Sequence, residues 1–134
     1  MSHPSTPPPG PPAGLRILLV EDNADSRDAL QLLLELDGHR VAVAGDGPEA
    51  LARATELEPD VALIDIGLPG LDGCEVARQL RATPLGSKMR LIAMTGYSQP
   101  EARARVIEAG FDSHLVKPID PATLTRQLAA PSSS

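Results

Sequence analysis

The chain has 134 residues, 42% hydrophobic and 22% charged, which is one domain's worth of sequence with enough apolar side chains for a core. One Phe, one Tyr and no Trp leave no aromatic platform for stacking bases, and a net charge of −6 offers no cationic face to a phosphate backbone, so direct nucleic-acid binding is excluded. No apolar run reaches the roughly 18 residues needed to span a bilayer, the start lacks the charged and apolar regions of a signal peptide, and the single Cys74 cannot form an internal disulfide; together these point to a cytoplasmic chain without membrane insertion.

Residues 1–14 hold six prolines among Ser, Thr and Gly, a composition expected of an extended or disordered linker. The domain proper is expected over 15–130, followed by a short flexible tail over 131–134 and no output domain. Arg16 opens a continuous apolar run over 16–20, of strand length. A helix follows from Asn23 or Ala24 to Asp37, with Leu30, Leu33 and Leu34 at helical spacing and Gly38 at its end. A second strand is predicted over 41–44. The next helix is predicted over 48–58, entered through Gly47-Pro48 and stopped by Pro59. Strands over 61–65, 91–95 and 113–116 then alternate with helices over 73–82, 100–109 and 121–129. Near-continuous apolar strands are buried on both faces, and their alternation with helices implies a parallel sheet with right-handed crossovers. The expectation is a single α/β domain: a flavodoxin-like, doubly wound five-stranded parallel sheet in the order 2-1-3-4-5, which places ligands beyond the carboxyl ends of its strands.

That edge collects a particular set of residues. Glu21 and Asp22 follow the first strand, Asp65 ends the third, Thr95 ends the fourth, and Lys117-Pro118 follows the fifth. Clustered carboxylates repel one another unless a cation neutralises them, and all-oxygen ligation with hydration suits Mg²⁺. A carboxylate beside a hard cation, a lysine and a hydroxyl is equipped to attack phosphorus in line, while its neighbours offset charge on the transferring oxygens.

These residues carry a resemblance. Glu21-Asp22, the run from Asp65 through Gly67 to Pro69 with Asp72-Gly73, Thr95-Gly96 and Lys117-Pro118 together resemble the receiver domain of two-component response regulators, over essentially all of 15–130. The resemblance implies that Asp65 is phosphorylated by a histidine kinase or a histidine phosphotransfer protein. It implies a Mg²⁺ site formed by Glu21, Asp22, Asp65 and the backbone carbonyl of Gly67. It also implies that Thr95 and Lys117 contact the phosphoryl oxygens and that the Lys117-Pro118 peptide is cis. Such a domain is no enzyme on external substrates; it catalyses only its own phosphorylation and dephosphorylation. It signals through the face of the fourth helix, fifth strand and fifth helix, read by a downstream protein or by a parent hybrid kinase.

Other readings fail on particular residues. An aspartate-nucleophile phosphatase or dehalogenase would place a second Asp two residues after the nucleophile, where this chain has Gly67, and no cap domain fits the length. Gly67, Gly70 and Gly73 are spaced G-x-x-G-x-x-G, not as a dinucleotide loop. A binding-only relative would lack one of the acidic, Asp, Thr or Lys set, and none is missing. Gly67 and Tyr97 occupy the two positions that tune acyl-phosphate lifetime in the family. His114 stands three before Lys117, where the family often has Tyr or Phe, so Thr95 and His114 are the candidate switch pair. An imidazole titrates near neutrality, and if apolar side chains such as Ile92, Met94 or Leu115 line the space it turns into, burying its charged form is disfavoured and the switch becomes sensitive to pH; the alternative is a partly exposed strand histidine with no switching role.

Overall fold

The computed structural model describes residues 14–67, 72–84, 88–96 and 100–129. Five strands, β1 (Arg16–Val20), β2 (Arg40–Ala44), β3 (Val61–Asp65), β4 (Arg90–Thr95) and β5 (Ser113–Val116), alternate with five helices. These are α1 (Ala24–Leu36), α2 (Gly47–Leu57), α3 (Gly73–Arg81), α4 (Pro100–Ala109) and α5 (Pro121–Ala129). All strand pairs are parallel and the order is β2-β1-β3-β4-β5, as the sequence predicts. Strand order reverses between β1 and β3, so the crevice at a doubly wound sheet's switch point opens beyond the carboxyl ends of those two strands.

Local chemistry starts most helices. Asn23, Asp46 and Asp72 are N-caps whose side chains accept the amides of Ser26, Glu49 and Glu75, and Asp120 accepts the amide of Thr123 ahead of α5. Each such cap is worth about 1 kcal/mol. α1 and α4 are each followed by a glycine of positive φ, Gly38 at 93° and Gly110 at 102°, the usual way to leave a helix. α2 ends one residue before the predicted stop. Pro59 bars helical backbone at the residue before it, and Glu58 turns out at φ 48° to become a left-handed C-cap.

Alternation along the strands divides the core into two layers. Leu18, Val20, Ala62, Ile64, Leu91 and Ala93 pack with residues of α2, α3 and α4. Ile17, Leu19, Val61, Leu63, Ile92, Met94 and Leu115 pack with Leu34 of α1 and Leu124 and Leu128 of α5. Aliphatic side chains do nearly all of this filling; Phe111 is the one aromatic among the described residues. Cys74 is fully buried in the first layer, as expected of a small packing residue, and burial pushes its thiol pKa up. Two arginines tie the sheet's amino edge to its helices. Buried Arg90 donates to the carbonyls of Gln127 and Leu128 at the end of α5, where a cation complements the helix dipole. Arg81 donates to the carbonyls of Gly110 and Met89 and to Asp112. Among the described residues, no helix is long and apolar enough to cross a membrane.

Candidate functional site

Each strand end delivers its residue to the same place. β1 runs straight into Glu21, whose backbone N–H donates to the Ala44 carbonyl at the end of β2 (3.0 Å). The Glu21 side chain is 1% exposed and both of its oxygens are engaged: Oε1 accepts from Lys117 Nζ at 2.7 Å, and Oε2 accepts from the Asn23 amide at 3.1 Å. Arg27, one turn into α1, donates to the Glu21 carbonyl at 3.0 Å and fixes the backbone there. Asp22, next in the chain, is exposed. Asp65 is 8% exposed; its Oδ2 accepts from Lys117 Nζ at 3.1 Å and its Oδ1 from the Gly67 amide at 2.9 Å.

Lys117 is held at this edge by its own amide, which donates to the Thr95 carbonyl at 2.7 Å and extends the β4–β5 ladder by one rung; the Lys117-Pro118 peptide is cis. Thr95 is buried, with its hydroxyl 3.5 Å from the Leu115 carbonyl. Glu21, Asp22, Asp65 and Lys117 are therefore brought together. Thr95 stands at the neighbouring strand end, and Gly67 is held to Asp65 through its amide.

The electrostatics follow from burial. Desolvation raises the Glu21 carboxyl pKa, against the lowering effect of the Lys117 and Asn23 hydrogen bonds and with the Asp65 charge adding to the rise. Burial disfavours the Lys117 ammonium, but its hydrogen bonds and ion pairs with Glu21 and Asp65 outweigh that and raise its pKa. Oxygen atoms of Glu21, Asp22 and Asp65 lie within 4.8 Å of one another, close enough to share one metal ion. Three carboxylates facing one ammonium leave two negative charges uncompensated, and a hard divalent cation fits that donor set in charge and in ligand type.

His114 is half-buried on β5, beside Ala93 in register. Alternation puts it on the sheet face of Ala93 and Thr95, toward α4. Ile92, Met94 and Leu115 belong to the opposite layer, with α1 and α5. Ile92, Met94 and Leu115, the apolar side chains expected to line the space around the imidazole, therefore lie on the opposite side of the sheet. Tyr97, Gly70 and Pro69 lie outside the described residues. Sequence reasoning missed Arg27 and the Asn23 amide as supports of Glu21. The only signal for either was the reading of Asn23 as a helix start, because a side chain reaching back to a carbonyl six residues earlier leaves no mark in hydrophobic periodicity.

A sheet of this order with an acidic pocket, a strand-end Asp and a bridging Lys defines a phosphoacceptor signalling fold. A family model of the response regulator receiver domain matches residues 17–129, and the chain belongs to that family. It is 37% identical over 114 residues to an uncharacterized 14.6 kDa protein of Leptolyngbya boryana, covering 85% of this chain and 87% of that one. It is 39% identical over 115 residues to the transcriptional regulatory protein PrrA of Mycobacterium tuberculosis, covering 86% of this chain but 48% of PrrA. The chain thus spans about half the length of that regulator. Among solved structures, the receiver domain of the sensor histidine kinase PA1611 from Pseudomonas aeruginosa PAO1 is similar at a TM-score of 0.81 and 36% identity, covering 87% of this chain and 95% of that one. That protein holds a magnesium ion coordinated in its active-site cleft. The chemotaxis protein CheY4 of Vibrio cholerae aligns at a TM-score of 0.82 and 30% identity, covering 87% of this chain and 97% of that one.

Proposed function

We propose that this receiver domain accepts a phosphoryl group on the Asp65 carboxylate from a phosphohistidine of a histidine kinase or phosphotransfer protein, in a Mg²⁺-dependent reaction. The observation that carries the reading is the Asp65 carboxylate at the switch-point crevice, bound by Lys117 at 3.1 Å and grouped with Glu21 and Asp22. An Asp65 oxygen forms the new O–P bond as the donor's N–P bond breaks, and the electron pair stays on the imidazole nitrogen. Lys117 offsets charge on the transferring oxygens and the Thr95 hydroxyl donates to one of them. Glu21, Asp22, Asp65 and the Gly67 carbonyl would hold Mg²⁺, which when bound neutralises the approaching phosphoryl oxygens. Water then hydrolyses the acyl phosphate, so the domain catalyses only its own phosphorylation and dephosphorylation. Thr95 and His114 form the switch pair, and the α4-β5-α5 face transmits the state to a downstream protein or a parent hybrid kinase, in the cytoplasm.

The test is intact-mass measurement after incubation with a small-molecule phosphodonor. Wild type should gain one phosphoryl mass with Mg²⁺ and almost none in EDTA, and Asp65→Asn none in either. An Asp65→Asn adduct equal to that of wild type would overturn the assignment.

The receiver unit is 15–130, with 1–14 as linker and 131–134 as tail. A Pro-rich leader cannot bury enough apolar area to offset its ordering entropy. A chain starting at Ala13 should therefore match the full chain in thermal midpoint and in phosphate uptake. A midpoint several degrees lower would show that the leader packs against the domain.

A further inference from the structure

Two of the described glycines, Gly67 and Gly73, lie within eight residues after Asp65, and they differ sharply in what surrounds them. A Cβ at Gly67 would lie 3.5 Å from Asp65 Oδ1, an ordinary contact. A Cβ at Gly73, the first residue of α3, would lie 2.7 Å from the Ile66 Cα and 3.0 Å from the Asp65 carbonyl carbon, and would overlap the Asp65 carbonyl oxygen. Those neighbours are backbone atoms that cannot swing aside. The Gly73 amide also donates to the Ile66 carbonyl at 3.3 Å. The first turn of α3 thus lies flat against the peptide that carries Asp65, an approach open only to glycine.

A side chain at Gly73 would force one partner to move, and the anchoring decides which. α3 is fixed by four fully or nearly buried side chains, Cys74, Val76, Ala77 and Leu80, and by its Asp72 cap. The backbone after Asp65 has fewer ties: besides the Gly73 contact itself, the Ile66 amide to the Met94 carbonyl at 3.1 Å, the Gly67 amide to Asp65 Oδ1 at 2.9 Å, and one partly buried side chain, Ile66, against the core. The strand end yields, and the Asp65 carboxylate moves with it relative to Lys117, Glu21 and Asp22.

We propose that Gly73 is a positioning residue for the phosphoacceptor site, whose missing side chain sets where Asp65 stands among the metal-binding carboxylates. The inference rests on the reading of Asp65 given above. It is tested by comparing Gly73→Ala with Gly110→Ala. The latter is a strained control next to the amino end of β5, where φ is +102° and a Cβ would meet Arg81 Cγ at 3.0 Å. Both variants should melt earlier than wild type. At a temperature where circular dichroism shows all three chains folded, calorimetric titration should give Gly73→Ala a Mg²⁺ affinity about tenfold weaker, the size of effect seen when a ligand's supporting group is lost. Gly110→Ala should bind as wild type does. Equal Mg²⁺ affinity in Gly73→Ala and wild type overturns the inference, as does equal weakening in both variants, which a merely structural role would produce. Should Gly73→Ala fail to fold, the wild-type amide spectrum decides. The Gly73 amide should shift on Mg²⁺ titration with the same midpoint as Ile66, and a stationary Gly73 beside a shifting Ile66 overturns the proposal. A wild-type chain that takes up neither Mg²⁺ nor phosphoryl overturns the reading of the site itself, and the inference falls with it.

Discussion

Replacing Lys117 by alanine is expected to lower the thermal midpoint in EDTA by roughly 8 °C and to recover much of that loss in excess Mg²⁺. Lys117 Nζ bridges Glu21 at 2.7 Å and Asp65 at 3.1 Å, and Glu21 is 1% exposed. Removing one partner of a fully buried pair costs about 3–5 kcal/mol, because it strands a charge away from water. Lys117 is 29% exposed, so solvent screens part of this, and about 2 kcal/mol is the reasonable scale here. With Mg²⁺ present the carboxylates regain a cation and the deficit shrinks. Phosphate uptake should not recover with it: loss of a preorganised charge aimed at the transferring oxygens costs about 10²-fold or more in rate. Thermal melts in EDTA and in Mg²⁺, together with initial rates of adduct formation, check both halves. Equal midpoints for variant and wild type in EDTA would show that Lys117 does not hold the metal-free site together.

Glu21→Gln is expected to separate stability from function in the opposite sense. Burial raises the Glu21 pKa, so its ionised form is disfavoured in the fold. A group whose folded pKa lies above its unfolded value contributes stability that is complete below the unfolded value, about 4.5 here, and is lost as pH rises through the folded value. Metal-free wild type should therefore lose stability over that acidic window, while Glu21→Gln, which carries no charge and keeps one acceptor oxygen for either Lys117 or the Asn23 amide, should not. Without metal, the stability of wild type relative to the variant should therefore fall as pH rises through the acidic range. Lys117 does not disturb the comparison, since with its pKa raised its contribution is complete at all pH values below its ordinary 10.5. Mg²⁺ affinity should fall by more than about tenfold, because loss of an outer-shell support alone costs that much. Urea or thermal melts across the acidic range and a Mg²⁺ titration read the two effects. A difference between wild type and variant that stays constant across the acidic range would contradict the electrostatic account of Glu21.

Much of this protein is decided by short-range patterns. The apolar runs of β1, β3 and β4 state their burial on both faces, and Asn23, Asp46 and Asp72 start helices with side chains that reach only three residues ahead. Glu21, Asp22, Asp65, Thr95 and Lys117 announce the site because a parallel sheet delivers every strand's carboxyl end to the same edge, so position in the chain already encodes position in space. What depends on partners far apart in the chain was not legible. The sequence puts Lys117 at one edge with Glu21 and Asp65, but not the bridge it makes to both across 96 and 52 residues, nor the reach of Arg90 to the end of α5 across 37 and 38. The side of the sheet on which His114 stands depends on the β4–β5 register, where a one-residue slip would turn every side chain over. The need for glycine at position 73 comes from the pressing of α3 onto the Asp65–Ile66 peptide. Hydrophobic period and capping chemistry act within a turn or a strand and therefore show in sequence, whereas side-chain reach, sheet face and backbone clearance exist only once the layers have packed.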